Sequence, residues 1–175
     1  TILLTRYLGP AGFGSFTFVL VFVAMFGTVA DWGMSLITVR EASKEVGKAM
    51  EIIGNAMVVR LLLAVVAAIV AIIVINFYPT SSSLKLLVAI SSLSLVALSL
   101  KTSFQIIFNV KLQMHNSAIA DFSCNVFTLL VVLFVIHFGL GLTGVVIAYL
   151  IGNCVAAFVA AFLGFRLLPL KFSLF

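Results

Sequence analysis

Residues 61–75 read LLLAVVAAIVAIIVI, fifteen positions without a charge or a polar side chain. Flanking residues extend this apolar run to about 52–77, enough helix to cross the ~30 Å hydrocarbon core of a bilayer. Comparable runs occupy residues 15–39, 85–109, 119–138 and 142–168. In lipid only a helix or a closed barrel satisfies every backbone polar group within the protein. Continuous apolar runs of this length, without strand-like alternation, specify helices. The composition agrees: 64% of residues are hydrophobic and 9% charged, against about 25% charged in soluble domains. A soluble fold of this size has too little interior for so much apolar surface. The expected fold class is an all-α integral membrane protein, a polytopic helix bundle forming one transmembrane domain over residues 1–175.

The first apolar stretch, residues 1–8, is too short to span. Gly9-Pro10 stops it, and GPAGFG reads as a tight connector. The chain starts at Thr1 rather than Met, so the expectation is a piece of a longer protein that lacks the beginning of its first span. The second half of the next span is polar, with Gly27, Thr28, Asp31, Trp32, Gly33 and Ser35. Trp32 suits an interfacial belt. The segment REASKEVGKAME follows, with Arg40, Lys44 and Lys48 at steps of four and Glu41 and Glu45 beside them, as in a short solvated helical loop.

The net charge of +5 does not imply nucleic acid, because the bases are confined to particular connectors. Arg40, Lys44, Lys48, Lys111, Arg166 and Lys171 fall on one side, with Arg60 just inside a span on that side. Only Arg6 and Lys85 fall on the other. The rich side is expected to be cytoplasmic. Cys124 and Cys154 read as small packing residues with no disulfide between them, and His115 and His137 as lone interfacial residues. No P-loop, HExxH, CxxC or GxSxG is present, and no connector is long enough for a soluble catalytic domain. Neither an enzyme nor a cofactor or metal is expected.

The span at 85–109 carries a polar stripe. Ser91, Ser94, Lys101, Gln105 and Asn109 recur at steps of three, four or seven and share one helical face. Lys101 either snorkels to the headgroups or faces a wet cavity; the stripe favours the cavity. Asp31 and Asp121 are the acids at span rims, where the plain expectation is pairing with Arg40 and Lys111. In the last span Ala148, Gly152, Ala156, Ala160 and Gly164 repeat every four residues, a ridge that lets another helix approach closely.

Two motifs then carry a resemblance. RYLGPAGFGSF at 6–16 resembles the span-one exit of polysaccharide flippases, R-x-L-G-x-x-x-[FY]-G. DWGMSLITVREASK at 31–44 is similar to their second-span exit, G-[LM]…[VI]-R-E-x-[AS]. The chain resembles the O-antigen and exopolysaccharide transporters of the multidrug/oligosaccharidyl-lipid/polysaccharide (MOP) flippase superfamily. The resemblance implies most of the first six-helix lobe of a two-lobed, MATE-like fold, the missing C-terminal lobe completing the cavity. It also implies movement of undecaprenyl-diphosphate-linked oligosaccharide across the cytoplasmic (inner) membrane by alternating access, for surface polysaccharides such as the O-antigen of lipopolysaccharide. By motif position Arg6 is the matching cavity base, and Arg40 the R-E arginine, an orientation or gating element. Arg60 and Lys101 are added as bases inside spans, Ser94 and Gln105 as hydrogen-bonding groups for sugar, and Asp31 and Asp121 as gating acids. The alternatives are a MATE-like drug or metabolite exporter, which for cations would need carboxylates in the cavity, a membrane polymerase or glycosyltransferase, and a scaffold without transport.

Overall fold

A computed structural model describes residues 2–31, 33–44, 48–110 and 113–167. Expectations placed on Trp32, Glu45, Lys111 and Lys171 lie outside the described residues. The described residues form six helices and no strand: α1 (Ile2–Asp31), α2 (Met34–Lys44), α3 (Ala49–Phe77), α4 (Ser82–Val110), α5 (Met114–Phe138) and α6 (Gly141–Leu167). Five of them are long and apolar enough to cross a membrane; α2 is not. The protein is an all-helical, multi-pass membrane bundle.

Local chemistry sets the helix ends. Tyr78 precedes Pro79, a position biased away from helical backbone, and it is extended at φ −82°, ψ 136°. Lys85 reaches back across this turn and donates to the Asn76 carbonyl at 3.0 Å. At the end of α5, Gly139 adopts φ 66° and donates to Ile136 O, while Leu140 N donates to Val135 O.

Two boundaries differ from the sequence reading. The connector expected at 9–14 shrinks to Gly9 (φ 68°, ψ 175°), which breaks α1 into two helical segments, and Pro10 to Gly14 are helical. Proline suits the first turn of a helix, so Pro10 restarts the helix as readily as Gly9 stops it. The span expected to run to 39 stops at Asp31, and a separate helix begins at Met34. Gly33 sits between them at φ 77°, and its carbonyl accepts the N–H groups of Leu36 and Ile37.

Packing divides into two apolar clusters. One gathers Val19, Ile75, Val88, Val135 and Val145 at the end where α3 turns into α4 and α5 into α6. The other gathers Ala42, Ile53, Phe104, Phe108 and Ala120 at the opposite end. Outside these clusters, residues such as Leu62, Val66, Ile69, Phe122 and Leu133 stand exposed, an arrangement stable only when lipid covers them. α4 is the central element, packing against α1, α3, α5 and α6. The ridge on α6 is buried against its neighbours: Ala148, Ala156 and Ala160 are fully enclosed. A side chain at Gly152 would strike Thr128 of α5, and one at Gly164 the ring of Phe104 of α4.

Candidate functional site

Charged residues meet in the half of the bundle where α1 ends. Arg60 lies nine residues into the apolar window of α3 that begins at Glu51, about 14 Å along the helix axis. It is only 4% exposed. Its Nη2 meets Asp31 Oδ1 at 2.7 Å and donates to Thr102 Oγ1 of α4 at 2.8 Å. Its Nη1 is buried with no hydrogen-bond partner among the described residues. Ser35 of α2 donates to both Asp31 oxygens at 3.1 Å, so the carboxylate is shared between α2 and α3.

A cavity of about 730 Å³ opens beside this pair, between α1, α3 and α4. Ala24, Gly27, Val29, Ala64, Leu95 and Leu98 supply its apolar lining, Thr28, Ser99 and Thr102 its hydroxyls, Arg60 its cation and Asp31 its carboxylate. The volume is in the range that holds a drug-sized ligand. Among the described residues its wall holds one base and one acid, paired with each other.

A second pair lies on the other flank of α4. Lys101 meets Asp121 of α5 at 2.5 Å, with the lysine 14% and the aspartate 47% exposed. Gln105 donates to Ser117 Oγ at 2.9 Å and, at 3.5 Å, to Asp121. Adjacent residues of α4 thus serve different neighbours, Lys101 facing α5 and Thr102 facing Arg60, because successive helical side chains point about 100° apart.

A family model for polysaccharide biosynthesis proteins matches residues 1–175. The chain belongs to the polysaccharide biosynthesis protein family. This is the polysaccharide-flippase group that the motifs at 6–16 and 31–44 resemble. No curated protein and no solved structure matches the chain.

In this polysaccharide biosynthesis protein the eight residues singled out from sequence fall into separate groups. Arg60 and Asp31 are joined at the cavity, and Lys101, Gln105 and Asp121 are joined between α4 and α5. Ser94 Oγ bonds back to the Ser91 carbonyl at 2.6 Å. Neither it, Lys101 nor Gln105 lines the cavity, which occupies the neighbouring flank of α4. Arg6 is exposed, and the next residue, Tyr7, accepts the Gly141 N–H at 3.0 Å, which puts Arg6 at the opposite end of the bundle from Arg60. Arg40 is exposed on α2. Nearby, Lys44 bonds Glu41 at 2.9 Å; this bond and charge, with a smaller part from Arg40, hold the Glu41 carboxyl below its ordinary range.

Asp31 pairs differently from the sequence expectation, taking Arg60 rather than Arg40; Asp121 pairs with Lys101, and Lys111, its expected partner, lies outside the described residues. A partner one helix away is invisible to local spacing. Ser99 and Thr102 were missed for a related reason. With Ser92 and Ser103 they form a second set of hydroxyls on α4, weaker to the eye because it holds no charge. Cys124 is half-buried near Asn153, whereas Cys154 is exposed on α6 and is not a packing residue within the bundle. Among the described residues no three of His, Cys, Asp and Glu gather as a metal site.

Proposed function

We propose that this protein moves undecaprenyl-diphosphate-linked oligosaccharide across the cytoplasmic membrane, supplying cell-surface polysaccharide such as O-antigen. It acts as a transporter rather than an enzyme, with its base-rich end cytoplasmic. One observation carries the reading: a buried arginine, nine residues inside an apolar span, lines a cavity with room for a ligand. A cation inside a span costs about 2.5–3.5 kcal/mol on insertion scales and is a functional signal by default. A guanidinium matches phosphate through its two-pronged donors. Arg60 is the primary phosphate contact in this proposal. Arg6 and Lys101, outside this cavity, add positive charge elsewhere in the bundle. Ser94 and Gln105 would reach sugar hydroxyls only by giving up their present bonds to Ser91 and to Ser117 and Asp121. Asp31, Arg40 and Asp121 govern opening. A second lobe of the same polypeptide supplies the facing wall.

The rival reading, a drug exporter for cations, needs an acid free to hold its substrate. Asp31 and Asp121 are each paired with a base, and within the Asp31 pair it is the arginine that keeps a buried donor, Nη1, without a partner among the described residues. That unused donor favours an anionic substrate.

The test is surface polysaccharide in a strain deleted for its own flippase and complemented with each variant, protein level being measured in parallel. Arg60→Gln should lose most export at matched protein level, and Arg60→Lys should retain part of it. Full export by Arg60→Gln would overturn the assignment.

A further inference from the structure

The Arg60 site is closed by one of the protein's own carboxylates, and that carboxylate has somewhere else to go. Asp31 meets Nη2 of the guanidinium, the same nitrogen that Thr102 takes, while Nη1 has no partner among the described residues. Guanidinium forks bind anions most strongly when both prongs donate. The contact is therefore incomplete on the arginine's side. On the aspartate's side, Asp31 is 42% exposed, is the last residue of α1, and already accepts from Ser35 across Gly33. When it leaves Arg60 it keeps a hydrogen-bond donor. Arg60, only 4% exposed, has little water to replace the carboxylate. A second anion in the cavity can.

We propose that Asp31 is an exchangeable counter-ion: the phosphate of a lipid entering the cavity takes both prongs of Arg60, and Asp31 is released to Ser35. The proposal rests on the transport reading of this cavity and adds the regulation of its site. The cavity supports a phosphate carried on an apolar tail, since Ala24, Val29, Ala64 and Leu95 line it beside Arg60, the cation among its described lining residues. Release has a mechanical consequence. Upstream of Asp31, Gly27 packs tightly on α4, where an added Cβ would come within 2.9 Å of Leu95 Cδ2. Beyond that contact Thr28 and Val29 are exposed, so the Asp31–Arg60 pair is the polar tie that holds the last turn of α1 to α3. A bound phosphate lets that turn and α2 move, with Gly33 between them.

Trp32, the chain's only tryptophan, adjoins Asp31 and serves as a reporter. Dodecyl phosphate is titrated into the purified protein in maltoside micelles while tryptophan emission is followed. Wild type should give a saturable change. Asp31→Asn should bind about tenfold more tightly, because no carboxylate competes, in line with ordinary coupling between ligands. Arg60→Gln should show no saturable response. Ser35→Ala leaves the Arg60 pair intact and removes only the alternative donor; it should bind a few-fold more weakly, roughly as expected for one lost coupling contact. Equal affinity in wild type, Asp31→Asn and Ser35→Ala would overturn the exchange. An equal response to dodecanol would overturn the phosphate, and an equal response to inorganic phosphate alone would overturn the lipid. Export is not read in this assay. Exchange without export counts against the transport reading alone, and export without exchange counts against this proposal alone.

Discussion

Lys101 and Asp121 are the residues whose roles separate most cleanly by measurement. Their pair is partly buried, at 14% and 47% exposure, and it ties α4 to α5. Exposed pairs contribute up to about 1 kcal/mol, and removing one member of a buried pair costs about 3–5 kcal/mol. Lys101→Ala should fall between, losing roughly 1–3 kcal/mol and leaving Asp121 with Gln105 at 3.5 Å as a weak remaining partner. Lys101→Ala with Asp121→Ala should recover part of that loss, since no lone charge then remains. Thermal unfolding in micelles measures both. If the lysine also serves transport, the double variant regains stability while export stays low. Recovery of both would make the pair purely structural.

Among the described glycines, Gly152 on α6 leaves the least room for a side chain. A Cβ on Gly152 falls on Thr128 Oγ1, 3.1 Å from Thr128 Cβ and 3.4 Å from the Cys124 carbonyl oxygen. Gly152→Ala should destabilise by about 1–3 kcal/mol, and Gly152→Leu by more, through overpacking against α5. Thr128→Ala in the same chain should relieve part of the Gly152→Ala cost, which a melting series would show. Gly54 on α3 supplies the contrast, since a Cβ there meets nothing within 4 Å. Gly54→Ala should hold or raise stability, by up to about 1 kcal/mol from helix propensity. Gly9 differs again. Its φ of 68° and ψ of 175° lie in a region almost restricted to glycine, so Gly9→Ala should cost about 1–3 kcal/mol despite open space around it.

For the whole molecule, lipid stands in for much of the missing interior. Apolar residues face outward along α3 and α5, so the bundle is held by its two clusters and by the polar layer around Arg60 and Lys101. The base-rich end should face the cytoplasm. Single cysteines at Ser43 and Ser82, on a background lacking Cys124 and Cys154, should show it. In intact cells an impermeant maleimide should label position 82 and spare position 43; the reverse pattern would invert the topology.

Apolar run length was enough to read helices and class of solvent, because each is a local property of the chain. It misplaced the first span, where the stretches read as 1–8 and 15–39 are one helix, α1, followed by the separate α2. The runs at 52–77, 85–109, 119–138 and 142–168 became α3 to α6, each within a few residues. The every-fourth small residues of α6 likewise announced a close neighbour, since backbone approach needs small side chains whichever helix arrives. Pairing could not be read this way. Asp31 with Arg60, Lys101 with Asp121, and the cavity on the Ser99–Thr102 flank of α4 depend on which helix lies beside which, and at what rotation. Lipid tails are as apolar as leucine and impose no such order. Side-chain packing and the need to partner buried charge do so, and both act only once the helices are assembled.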